Sequence, residues 1–199
     1  RRGHRIVPFH ERADVYIVNT CTVTARTDYQ SRQLIRRAHR LNPKAAIVVT
    51  GCYAQVFPDA AASLPGVALV AGNPEKEDIS SLIEKTALGG RRILVSDIHD
   101  LASCTGPFAG RFHGHTRAFL KVQDGCDAFC RYCIVPIARG RSRSLPGKDV
   151  LERAASLVAA GHREIVLTGV HLGAYGADLR PQTDLLALCR NIEEGNVLK

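Results

Sequence analysis

The sequence predicts an α/β protein: a parallel sheet covered by helices in the first half of the chain, then the beginning of a second βα array. Three observations carry this expectation. Continuous apolar runs of four or five residues alternate with stretches of helical periodicity, as buried parallel strands and their crossover helices do. Gly, Pro and Asn punctuate the joints between them. The alternation is interrupted once, over 96–116, where Gly, Pro, His and Asp occur with little periodicity and read as a linker.

In chain order, a short extended stretch at Arg5 to Phe9 precedes the apolar strand Val15-Tyr16-Ile17-Val18, which leads into Asn19-Thr20-Cys21. A helix is expected from Ala25 to Leu41, with Leu34, Ala38 and Leu41 at helical spacing and Arg26, Arg32, Arg36, Arg37 and Arg40 crowding the rest. Asn42-Pro43 ends it. Ala46 to Thr50 is the next strand and ends in Gly51-Cys52; Pro58 then starts a short helix to Leu64. A strand at Val67 to Ala71, a turn at Asn73-Pro74, a helix over about Lys76 to Leu88, a stop at Gly89-Gly90 and a strand at Ile93 to Val95 complete this unit. In parallel sheets ligands collect beyond the carboxyl ends of the strands, where Cys21 and Cys52 sit. A cysteine after a strand is also commonly a small buried residue.

The second unit opens with a strand at Ala118 to Val122 that runs into a cysteine-rich loop. A helix from Asp149 to Ala160 with Gly161 as its stop, a strand at Glu164 to Thr168, a glycine-rich loop and a helix from Asp184 to Ile192 follow. Two strands and two helices do not close a barrel, so this array is expected to continue past the C-terminus. The expected organisation is a first domain at 1–95, a linker at 96–116 and a second domain from 117 to 199.

Composition narrows the class. With 199 residues, 45% hydrophobic and 23% charged, this is neither a disordered nor a fibrous chain. No apolar run approaches the roughly 18 residues that span a bilayer, and no leader opens the sequence, so a cytoplasmic protein without membrane partners is expected. Seven cysteines argue against a disulfide framework and for metal or redox use. Lys and Arg total 27 against 19 Asp and Glu, a net charge of +8 that favours a polyanionic partner, although a solubilising surface has the same signature. Arg1-Arg2-Gly3-His4 reads like the end of a helix closing on glycine, and there is no methionine; a fragment with its start upstream is expected, the alternative being a processed chain.

Cys126-Asp127-Ala128-Phe129-Cys130-Arg131-Tyr132-Cys133 puts three thiols within eight residues, close enough to wrap one cubane iron–sulfur cluster. No fourth ligand follows in the loop. One iron would then stay open, as it must if a small molecule is to chelate the cluster. Zinc with a distant fourth ligand is the competing reading, since Cys104, His113 and His115 lie upstream.

This C-x-x-x-C-x-x-C loop after a strand, with an aromatic residue before the last cysteine, closely resembles the signature of the radical S-adenosylmethionine superfamily. The resemblance implies that the second domain begins a partial (β/α) barrel. It also implies that a reduced [4Fe–4S] cluster on Cys126, Cys130 and Cys133 cleaves S-adenosylmethionine to a 5′-deoxyadenosyl radical. Tyr132 would place its backbone near the adenine, and Thr168, Gly169, Val170 and His171 at the end of the next strand would approach the cofactor; as a bare sequence feature, that glycine is a strand-end turn.

Asn19-Thr20-Cys21, Gly51-Cys52-Tyr53-Ala54-Gln55, and the segment from Pro136 to Ser144 are similar to the methylthiotransferase family. In that family an N-terminal domain supplies three cysteines to an auxiliary [4Fe–4S] cluster, and Cys21 and Cys52 match the second and third. The first would lie before Arg1. Thr22-Val23-Thr24, Ser31 to Arg36, Thr116 to Lys121, and Gly169 to Gly176 most resemble the enzymes that modify threonylcarbamoyladenosine 37 of tRNA. The implied reaction replaces hydrogen at C2 of that base by a methylthio group, using one S-adenosylmethionine as methyl donor and another as radical source. An electron donor such as flavodoxin or ferredoxin and a monomeric state go with it. Family members that act on isopentenyladenosine 37 or on a ribosomal-protein aspartate are the neighbouring alternative, and a non-catalytic metal-bound nucleic-acid module is the alternative of a different class. The 199 residues alone, lacking one auxiliary ligand and the rest of the barrel, are expected to be inactive. Arg139, Arg141 and Arg143 are candidate RNA contacts, or equally a solvated loop. Cys104 and Cys189 are expected to be structural thiols, and His99, His113 and His115 to carry no chemistry.

Overall fold

A computed structural model of the chain describes residues 4–86, 90–104, 108, 110, 112 and 114–195. The helix end read at Arg1-Arg2-Gly3, the helix terminus at Leu88, the stop at Gly89 and the position of His113 lie outside the described residues. Two compact units are present: one comprises the chain up to Asp100 together with Tyr132–Ala138, the other Leu101–Arg131 and the chain from Arg139 onward.

The first unit follows the predicted alternation: β1 (Val15–Thr20), α1 (Ala25–Leu41), β2 (Ala46–Gly51), α2 (Cys52–Val56), α3 (Pro58–Ala62), β3 (Val67–Ala71), a 3-10 turn (Glu75–Asp78), α4 (Ile79–Thr86) and β4 (Arg92–Leu94). All four strands are parallel, in the order β1-β2-β3-β4. Strand alternation splits their side chains between two layers. Tyr16, Val18, Ile47, Val49 and Val70 pack with Ile35 and Ala38 of α1 and with Ala61 and Ala62 of α3. Val48, Leu69 and Ala71 pack with Ile79, Leu82 and Ile83 of α4.

Helix α1 begins where Thr24 and Thr27 satisfy one another's backbone N–H groups, a capping box with threonine at both positions. It ends at Asn42, whose amide donates to the Ala13 carbonyl at 2.9 Å and so ties the helix exit to the entry of β1. Three details differ from the sequence reading. The helix expected from Lys76 starts as a 3-10 turn and becomes α-helical at Ile79, and β4 starts one residue earlier than expected. Helix α2 was not anticipated, since five residues are too few to show a period.

The second unit contains β5 (Arg117–Lys121), β6 (Gln123–Asp124), β7 (Arg143–Ser144), α6 (Gly147–Ala159), β8 (Glu164–Thr168), a 3-10 turn (Leu172–Ala174) and α7 (Leu185–Glu194). A further short helix, α5 (Val135–Arg139), lies between β6 and β7 in sequence. Strands β5 and β8 pair in parallel, so the predicted βα repeat is present as one parallel pair with α6 as its crossover. Leu120, Val122, Val150, Ala154, Leu157, Tyr175 and Leu188 form the core. Buried Tyr175 donates to the Leu145 carbonyl at 2.8 Å, and burial, with Asp178 and Cys104 nearby, pushes its hydroxyl up to about 12. Cys104 packs into this core too, where burial raises its thiol.

Candidate metal centre

At the carboxyl edge of the first sheet, Thr20 of β1 faces Gly51 of β2, and the next residue on each strand is a cysteine. Gly51 has a φ of +97°, and a methyl group there would overlap the Thr20 carbonyl oxygen, so only glycine lets the strands approach this closely while the chain turns into α2. The Thr20 hydroxyl donates to the Thr50 carbonyl at 2.6 Å and accepts from the Ala54 N–H at 3.3 Å, which joins both strand ends to α2. Cys21 is exposed, with its carbonyl receiving the Ser31 hydroxyl at 3.4 Å; Cys52 is buried as the first residue of α2. Asn73, just past β3, holds its side-chain amide 3.9 Å from the Cys52 sulfur and 2.7 Å from the Ala138 carbonyl. The backbone N–H of Asn73 donates to Gln55 Oε1 at 2.8 Å.

In the second unit the cysteine loop springs from the β6–β7 ladder, in which Gln123 pairs with Ser144 and Asp124 with Arg143. Gly125, at φ +71°, lies so close to the Arg141 carbonyl that a Cβ would overlap it. Cys126 N–H donates to the Gly140 carbonyl at 3.1 Å. Phe129, at φ +45°, is the one non-glycine residue among those described that has a left-handed backbone, and it stands between Cys126 and Cys130. The Cys126 sulfur receives the Ala128 N–H at 3.5 Å and lies 3.9 Å from His171 Nδ1. Cys130 is exposed, Cys133 half-buried, and Phe129 and Tyr132 turn their rings to solvent.

Sequence reasoning missed Gln123. It is fully buried, and its amide nitrogen donates to the Asp124 and Gly125 carbonyls and to the Ser142 hydroxyl, while its oxygen accepts the His171 N–H at 2.8 Å. One side chain thus fastens both ends of the cysteine loop and the loop after β8. Gly169 keeps that loop close, because a Cβ there would press on Gln123 and Leu172; Thr168 accepts the Val122 N–H at 2.9 Å, and Val170 is exposed. The signal in the sequence was a Gln-Asp pair prolonging an apolar strand into Gly-Cys.

Asp124 is also buried and pairs with Lys121 at 2.8 Å and Arg139 at 3.4 Å. Burial alone would raise its carboxyl. The charges of Lys121 and Arg139, with hydrogen bonds from Lys121 and the Gly125 N–H, outweigh that and hold it below the usual aspartate range. Its contribution to stability is therefore present at neutral pH and lost as pH falls below about 4 and through the folded-state value. Asp124→Asn is expected to destabilise at pH 7, with the gap to wild type closing towards pH 3 in urea unfolding series. The three arginines of this region differ in setting. Arg143 is only 5% exposed and donates to the Arg139 and Arg141 carbonyls at 2.8 and 3.0 Å, Arg139 pairs with Asp124, and Arg141 is exposed.

None of the seven cysteines is in a disulfide. Three thiols on one loop, and two more at adjoining strand ends, are a donor set suited to iron–sulfur clusters. Among the described residues no three His, Cys, Asp or Glu side chains are gathered around one point.

Residues 1–72 match the family described as uncharacterized protein family UPF0004. The threonylcarbamoyladenosine tRNA methylthiotransferase MtaB of Bacillus subtilis is 44% identical over 183 residues, which are 89% of this chain and 40% of that protein. The chain belongs to the methylthiotransferase family. MtaB of Aquifex aeolicus is 40% identical over 89% of the chain and 44% of its own length. The tRNA-2-methylthio-N(6)-dimethylallyladenosine synthase of Clostridium novyi is 29% identical over 96% of the chain and 44% of its length. The chain thus spans about two-fifths of the methylthiotransferases it matches.

Proposed function

We propose that this methylthiotransferase chain is part of an enzyme that places a methylthio group on C2 of N6-threonylcarbamoyladenosine at position 37 of tRNA. The observation that carries the reading is the three-thiol loop in a chain 44% identical to a threonylcarbamoyladenosine enzyme, against 29% to a dimethylallyladenosine one. Family membership implies radical S-adenosylmethionine chemistry on iron–sulfur clusters. Cys126, Cys130 and Cys133 would hold the [4Fe–4S] cluster that binds S-adenosylmethionine, and Cys21 and Cys52 would contribute to an auxiliary cluster near which sulfur is delivered. When bound, the first cluster supplies one electron to break a carbon–sulfur bond of the cofactor.

The protein's own part is placement and exclusion. Gln123 and Gly125 fix where the cysteine loop starts and returns, and the Thr168–His171 turn is tied to the same amide, which brings His171 beside Cys126. Exposed Phe129 gives the loop an apolar group that can shed water from a bound cofactor. Arg141, exposed beyond the loop, is available for phosphate; Arg139 and Arg143 brace it from within. In this reading residues 1–95 form the methylthiotransferase domain, 96–116 the linker, and 117–199 the start of the radical core. A monomeric, cytoplasmic enzyme served by a flavodoxin- or ferredoxin-type donor fits, and no described helix is long and apolar enough to cross a membrane.

The test is metal and sulfide analysis of the anaerobically reconstituted whole gene product, followed by reduction with S-adenosylmethionine. Iron with matching acid-labile sulfide and release of 5′-deoxyadenosine are expected. Zinc without sulfide would instead make this a non-catalytic metal-bound module.

A further inference from the structure

Arg139 and Arg143 are engaged inside the second unit, whereas Arg26, Arg37 and Arg40 of α1 are exposed. Helix α1 carries five arginines, no lysine and one acid, Asp28. At about 100° per residue, Ser31, Ile35 and Ala38 point to the core, while Arg26, Gln33, Arg37 and Arg40 fall within about 60° of one another on the far side. Asp28 is half-buried, away from that ridge. Among the described residues, none of these ridge arginines pairs with a carboxylate. Arg37 instead lies 6.0 Å over the Phe9 ring; Arg32, on the flank between ridge and core, lies 5.9 Å over Tyr53.

We propose that this face of α1 is an RNA-backbone surface, which deepens and rests on the tRNA reading above. Arginine without lysine, interleaved with a neutral amide donor and with exposed Tyr29 alongside, is the composition that recognises phosphate bidentately. The ridge is also aimed. Helix α1 starts at the carboxyl edge of the sheet, four residues after Cys21, and Arg40 lies about 21 Å farther along the axis than Arg26. A base presented at that edge would have its flanking phosphates near Arg26, and the strand leading away would pass Arg37 and Arg40. The helix thus acts as a rail that fixes the direction in which RNA leaves the site.

The experiment compares tRNA binding by the whole gene product and by the triple variant Arg26→Gln, Arg37→Gln, Arg40→Gln across a salt series. A second triple variant, Lys148→Gln, Arg163→Gln, Arg190→Gln, removes the same charge from exposed positions of the other unit. The α1 variant is expected to bind at least ~10-fold more weakly at 0.1 M salt, with the slope of log affinity against log salt reduced by about two. The second variant is expected to change affinity by less than about twofold. Equal losses in the two variants, or no loss in the first, would overturn the proposal while leaving the tRNA reading intact; a wild-type protein that binds no tRNA would sink both. Unchanged tRNA binding with slower reduction by an acidic electron-transfer protein would reassign the surface to a protein partner.

Discussion

Cys130→Ala in the whole gene product is expected to abolish release of 5′-deoxyadenosine, whereas Cys52→Ala is expected to retain that cleavage and lose the methylthiolated product. Cys130 is exposed, so its replacement opens no cavity and, on the proposed reading, would remove a cluster ligand. Cys52 is 8% exposed, and shortening it by one sulfur atom costs about 1 kcal/mol, too little to unfold the domain. The contrast between the two variants therefore reports on chemistry and not on folding. Equal loss of both activities in Cys52→Ala would contradict a division of labour between the cysteine loop and the sheet edge.

Gly125→Ala is expected to be the most damaging single methyl group in the second unit, at about 3 kcal/mol. Two penalties coincide there: a backbone at φ +71°, and overlap with the Arg141 carbonyl, which belongs to the returning arm of the same loop. Neither neighbour is the flexible end of a side chain, so relief requires the loop to open. Gly161→Ala is the control, because Gly161 has a φ of +93° but open space where the Cβ would go. It should cost only about 1 kcal/mol. In urea unfolding, the Gly125→Ala midpoint is expected to fall about 1 M or more below that of Gly161→Ala. Coincident midpoints would show that the overlap does not constrain the loop.

The strands of the first sheet and the helix at 25–41 were legible because buried parallel strands are continuous apolar runs and α1 is long enough to show its period. Helices α2 and α5 and the two-residue β6–β7 ladder were not, being shorter than any period. The three candidate loop thiols could be found from spacing alone, whereas Cys21 and Cys52 were singled out by their place after two strands and by the family resemblance. Gln123 and Asn73 could not, because their partners lie up to 48 and 65 residues away, and only the folded chain brings them together. The arginines show the same limit from the other side. Spacing groups Arg139, Arg141 and Arg143 as one basic segment, but the ladder pairs Arg143 with Asp124 and buries it, while three of the five α1 arginines, Arg26, Arg37 and Arg40, stand on one exposed ridge.

The central claim is the substrate, and mass spectrometry of tRNA nucleosides from cells lacking the gene addresses it most directly. The expected result is loss of the methylthio group from N6-threonylcarbamoyladenosine alone, restored by the wild-type gene but not by one encoding Cys130→Ala. Persistence of that methylthio group, or its loss from dimethylallyladenosine instead, would contradict the account.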